Sequence, residues 1–177
     1  MSQNQTSSSS ASVSSYRNTA SAGSQVYFID ASVPGYEALA LSLGENSKVF
    51  VIENTSDAFI QIDRALASLS DPASSVHIYS HGRDGAILLG GQWIDEAALS
   101  QSSEILKSIG ESLAQGADIL LYGCNTAASS LGESFIARMA RLASVDVAAS
   151  SNMTGTGGDW FLEKGTGDIE TTPTRLG

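Results

Sequence analysis

The sequence predicts an α/β fold: a three-layer α/β/α sandwich with a mainly parallel sheet. Three observations carry this. Apolar runs near 25–30, 48–53, 75–80 and 118–122 alternate with stretches of helical spacing, and the first three give β-α-β-α-β with right-handed crossovers. The runs at 75–80 and 118–122 read as buried parallel strands. At 177 residues and 42% hydrophobic content, the chain fits one domain with a substantial core.

Residues 1–24 are dominated by Ser, with Asn, Gln, Thr and Ala, and carry one charge, Arg17. Such a composition cannot repay the entropy of ordering, so a flexible leader is expected, either a plain linker or a functional tether. From Gln25 the character changes. Residues 25–30 read as a first strand, and after Pro34 a short helix carries Tyr36, Leu39, Ala40 and Leu43 on one face and stops at Gly44. Residues 48–53 form a second strand. A helix over about 56–69 places Phe59, Ile62, Leu66 and Leu69 at helical spacing, and Asp71-Pro72 ends it. The third strand, 75–80, runs into His81-Gly82-Arg83-Asp84-Gly85.

Gly90-Gly91 separates the apolar runs 86–89 and 92–94, a hairpin signal because both turn positions need positive φ. Asp95 caps a helical stretch with Leu99, Ile105, Leu106, Ile109 and Leu113 facing inward, closed by Gly116. Strand 118–122 then leads into Gly123-Cys124-Asn125. Ser130-Leu131-Gly132-Glu133 matches a capping box opening a helix with Leu131, Phe135, Met139 and Leu142 on its core face. Residues 145–149 form a fifth strand, and 160–163, after the turn 155–158, an edge strand. The domain therefore spans 25–171, with 172–177 as a tail.

Charge narrows the function. The formal net charge is 9 − 19 = −10. No basic patch is expected for nucleic acid or for anionic membrane surfaces. The N-terminus shows no charged-then-apolar signal peptide, and no apolar run approaches transmembrane length. One Cys and two His exclude a disulfide framework and a Cys-rich zinc module, so no metal is expected. The turn 155–158 lacks the Lys of a phosphate loop, no Gly-x-Ser-x-Gly elbow occurs, and no cofactor is implied.

What remains is His81 and Cys124, each just beyond an apolar strand. In open α/β sheets that carboxyl edge is where ligands sit. A thiol nucleophile needs a lowered pKa or a base within reach. His81 can accept the proton, and the helix beginning a few residues after Cys124 can aim partial positive charge at the thiol. The amides of Gly82 and Cys124 are candidates for stabilising an oxyanion. A lone Cys is usually buried and inert. Finding His-Gly at one strand end and Gly-Cys at another favours a site. His77, four residues earlier in the strand and about 13 Å away along it, reads as a core histidine. Asp84 and Asp159 either line a pocket for a basic side chain or mark turns, and Trp93 and Trp160 read as packing residues.

The order of strand, His-Gly, hairpin, helix, strand, Gly-Cys resembles the caspase-like cysteine peptidases, which include caspases, legumains, gingipains and separases. The resemblance implies a His81–Cys124 dyad, with Gly82 helping to bind the oxyanion. Over 25–170 the chain more closely resembles a bacterial domain of unknown function found near the N-termini of large repeat-containing surface or secreted proteins. That likeness rests on Ile29-Asp30-Ala31-Ser32-Val33, Ser80-His81-Gly82-Arg83-Asp84-Gly85, 117–125, 146–150 and Gly157-Gly158-Asp159-Trp160. Caspases carry Gln-Ala-Cys-Arg-Gly around the nucleophile. Here the segment is Tyr122-Gly123-Cys124-Asn125-Thr126, so aspartate specificity is not carried over. The expected function is a cysteine endopeptidase acting on a peptide or protein, its own parent chain included. The alternative is a catalytically silent module for docking, folding or retention.

Overall fold

In the computed structural model, residues 23–44 and 47–174 are described. The predicted leader up to residue 22 lies outside the described residues. The chain alternates strand and helix as expected: β1 (Gln25–Asp30), α1 (Tyr36–Ser42), β2 (Lys48–Ile52), α2 (Ala58–Ala67) and β3 (Ala73–Tyr79). Then come β4 (His81–Arg83), β5 (Ala86–Leu89), β6 (Gln92–Asp95), α3 (Glu96–Gln101), α4 (Ser103–Glu111), β7 (Leu113–Tyr122), α5 (Ser130–Ala143), β8 (Asp146–Ala149) and β9 (Lys164–Gly165).

The central sheet has the order β2-β1-β3-β7-β8-β9. Its first five strands pair in parallel, and β9 lies antiparallel on β8. Because side chains alternate across a strand, the sheet buries two different faces. Val26, Phe28, Val76, Ile78, Ile119, Leu121 and Val147 point to one, packed with the apolar sides of α2, α3, α4 and α5. Tyr27, Ile29, Tyr79, Leu120 and Tyr122 point to the other, under α1 together with Trp160 and Leu162. Full burial of a side chain such as Phe28 stabilises the fold by roughly 1.5–3 kcal/mol.

Register decides where the chemistry can sit. β3 and β7 are neighbours, with Val76 opposite Ile119 and Tyr79 opposite Tyr122. Both strands therefore end level, and His81 and Cys124 each follow two residues later. The β1-β3 junction is a topological switch point: β1 sends the chain outward to β2, and α2 returns it to β3 on the other side.

Several expectations need correcting. His81–Arg83 is not loop but the first strand of a separate antiparallel sheet, β4-β5-β6. Its β5–β6 turn uses Gly90 and Gly91 at φ 59° and 80°, as the Gly-Gly signal required. The helical stretch after Asp95 is broken at Ser102 into α3 and α4. Gly116, φ 81°, lies inside β7, where the register against β3 jumps and regular pairing starts at Asp118. The N-cap of α5 is Ser129 rather than Ser130, and Leu131 is 57% exposed. The edge strand is β9 rather than 160–163, because Trp160 turns its ring edge-on to Tyr79 and Tyr122.

The domain also extends past both predicted ends. Ser74 donates to Ser24 O and Gly23 O. At the other end, Thr174 N–H donates to the Tyr122 hydroxyl, so the segment read as a tail packs on the aromatic face. Upstream of it, the buried Asp118 carboxylate accepts from Glu170 N, Thr171 N and Thr171 Oγ1. No helix of the described residues is long and apolar enough to cross a membrane.

Candidate active site

A cleft of about 850 Å3 opens at the carboxyl edge of the sheet. Its lining comes from just beyond the ends of four adjacent strands: Val33 and Pro34 after β1, Ser80 and His81 after β3, Cys124 after β7, and Thr154 after β8. His81 and Cys124 thus share one cleft.

Two glycines bring them together. A Cβ on Gly82 would lie 2.5 Å from Thr126 Oγ1 and 2.7 Å from Cys124 O. A Cβ on Gly123 would lie 3.2 Å from Gly82 Cα. The His-Gly and Gly-Cys dipeptides therefore pack backbone on backbone, an approach that side chains would prevent. Gly82 sits opposite Ile87, between β4 and β5 pairs joined by the two-residue connection Asp84-Gly85. In that register Arg83 and Ala86 form the hydrogen-bonded pair, so the Gly82 N–H is turned away from β5 and stays outside the ladder.

The imidazole of His81 is oriented from outside its own strand. Its Nε2 lies 3.1 Å from the Ser32 carbonyl, which can only accept, so Nε2–H donates there and Nδ1 is the ring nitrogen left for proton exchange. Ser32 is itself held by the buried Asp30, whose Oδ1 accepts from Ser32 N and Oγ at 3.0 and 2.5 Å. Asp30 Oδ2 accepts from Gly90 N at 2.7 Å, tying the same carboxylate to the β5–β6 turn. Sequence reading missed Asp30 and Ser32; Ser32 acts through its backbone carbonyl, which leaves no side-chain signal.

The thiol sits against the segment after β8. Thr154 N–H donates to Cys124 Sγ at 3.3 Å, and Sγ lies 3.5 Å from Thr154 O. Asn125 follows in the left-handed region, φ 59°, with its N–H on Asn152 O at 2.7 Å. Asn tolerates that conformation better than most residues. On the other flank, Gly85 N donates to Thr126 O, which clamps the cysteine loop to the β4–β5 turn.

The remaining predicted residues lie elsewhere. Neither Asp84 nor Asp159 lines the cleft. Asp84 accepts from Ser129 N, Ser129 Oγ and Gly132 N at the start of α5, and these bonds hold its carboxyl below the usual carboxylate range. The expected pull of the helix N-terminus on the thiol is thereby corrected: a carboxylate already sits on that terminus. Asp159 accepts from Phe161 N and Asn152 Nδ2. His77 is fully buried, bonded to Ser75 Oγ and Tyr122 OH and stacked 4.4 Å from Tyr27. The Arg83 guanidinium lies over the exposed Trp93 ring, 4.2 Å from its centroid, and Trp160 lines the cleft. Among the described residues, no group of three or more His, Cys, Asp or Glu is arranged to hold a metal ion.

Chemically, the site offers a thiol, an imidazole held through Nε2, and a backbone amide outside the ladder, all at one sheet edge. Fold and site together define a mixed α/β domain with a mainly parallel sheet and a His–Cys cleft at its carboxyl edge. The chain belongs to the family described as Domain of unknown function (DUF4347), whose model matches residues 26–176. No curated protein matches it.

Proposed function

We propose that this domain is a caspase-like cysteine endopeptidase in which Cys124 is the nucleophile and His81 its base. The observation that carries the reading is the backbone contact of Gly82 with Gly123-Cys124, which places both side chains on one cleft. In the proposed cycle, His81 Nδ1 takes the thiol proton as Sγ attacks the carbonyl carbon of a peptide. The amides of Gly82 and Cys124 stabilise the oxyanion. His81 then returns the proton to the leaving amine, and water releases the acyl group by the reverse sequence. The substrate is a peptide or protein, including a larger parent chain of the bacterial surface or secreted type that the resemblance implies. Cleavage after a basic residue would make Arg175 a self-cleavage point; that residue lies outside the described residues.

The silent docking module is the second reading. It draws on Thr154, whose backbone N–H and carbonyl both face Sγ. Processing of the longer parent chain, compared between wild type and Cys124→Ala, separates the two. Cleavage in wild type and none in the variant supports the peptidase. Equal fragmentation in both, or none in either across a range of calcium and reductant, supports the silent module.

A further inference from the structure

Resting on the peptidase reading above, the geometry points to a specificity: the cleft selects an uncharged, apolar or aromatic side chain beside the bond it cuts. Its walls come from Val33 and from Ala38 and Leu39 of α1, and its inner surface from Tyr79, Tyr122 and Trp160. The three rings form one unit, with Tyr79 and Tyr122 stacked at 4.4 Å and Trp160 edge-on at 6.0 and 6.2 Å. Among the described residues no Asp, Glu, Lys or Arg lines the cleft.

A charged side chain entering there would leave water without gaining a counter-charge, which is unfavourable for either sign. Basic residues find no partner, because Asp84 is engaged at α5 and Asp159 by Phe161 N and Asn152. Acidic residues face in addition the net charge of −10. An apolar side chain instead gains by losing its hydration against the ring faces. Ser80 Oγ and Thr154 Oγ1, both on the cleft lining, are buried with no hydrogen-bond partner among the described residues.

Peptidyl acyloxymethyl ketones that differ only in the residue beside the warhead test this. Sγ attacks the methylene carbon, the C–S bond forms, the C–O bond breaks with its electron pair leaving on the carboxylate, and the thiol proton passes to His81. The rate of adduct formation at Cys124 is read by intact mass, with iodoacetamide as a measure of the bare thiol. Leu and Phe probes should add at least about tenfold faster than Asp or Lys probes. Ala38→Asp, an exposed position on α1, should narrow the gap between Leu and Lys by supplying a carboxylate at the wall. Equal rates, a faster charged probe, or an unchanged Leu-to-Lys ratio in Ala38→Asp would overturn the specificity while leaving the peptidase reading in place. No adduct from any peptidyl probe, with iodoacetamide still alkylating Cys124, would overturn both.

Discussion

At the end of β1 the buried Asp30 carboxylate takes hydrogen bonds from Ser32 N, Ser32 Oγ and Gly90 N, and the Ser32 carbonyl in turn holds the ring of His81. Asp30 is therefore a positioning residue. Asp30→Asn keeps the size but presents an amide where a donor already points, and should cost about 1–3 kcal/mol of stability. The pH profile of Cys124 alkylation in this variant should move toward that of His81→Ala, which a purely structural role would not produce. Gly82→Ala should damage the site more directly, since its Cβ would press on Thr126 Oγ1 and on the Gly123-Cys124 backbone. Overpacking of this kind costs about 1–3 kcal/mol, readable as a lower urea midpoint and, on the proposed peptidase reading, slower peptide cleavage. His77 makes a separate prediction. Burial lowers its pKa from 6.5 to about 4, so it stays neutral in the folded chain while the unfolded chain takes up a proton below pH 6.5. Stability contributed by neutral His77 is full above pH 6.5 and is lost as pH falls toward 4, by about 2 kcal/mol at pH 5. Denaturation at pH 7.5 and pH 5 should show a smaller difference in His77→Phe than in wild type.

Elements differ in how much of them a sequence exposes. β3 and the regular part of β7 are covered on both faces, so they stand out as apolar runs, and their common end point foretold where His81 and Cys124 emerge. The Gly90-Gly91 turn was equally plain, because only positive φ explains two glycines there. Helix α5 was visible through Phe135 and Met139, yet its start was misread by one residue. The reason is tertiary: Asp84, from the β4–β5 turn 45 residues earlier, reaches Ser129 and Gly132 and shares the capping with the Ser129 hydroxyl. Edge strand β9 has two residues and no apolar signature, so Trp160 and Phe161 attracted an assignment that belongs to Lys164–Gly165. Asp84→Ala should remove the cap from α5 and loosen the cysteine loop beside it. A loss of about 1–2 kcal/mol, measured by urea denaturation, is expected.

Across the whole molecule, the two faces of the sheet are closed by different means. Four helices cover one, whereas α1, Trp160 and the chain out to Thr174 cover the aromatic other. That last segment is anchored by Asp118, which is fully buried and depends on Glu170 and Thr171 for its hydrogen bonds. A chain ending at Ile169 should leave this carboxylate unpaired and lose about 3 kcal/mol or more, seen as a lower denaturation midpoint. The parallel architecture was legible in the alternation of runs; the closing of the second face was not, because it uses extended chain held by single side chains. The same architecture makes the proposed cooperation measurable: one sheet edge carries both His81 and Cys124 into one cleft. The direct test is the pH dependence of Cys124 alkylation by iodoacetamide in wild type and in His81→Ala. Cooperation predicts that wild type reacts severalfold faster near neutral pH, with the two profiles converging once the free thiol ionises above its ordinary pKa of about 8.5. Superimposable profiles from pH 6 to 10 would contradict it.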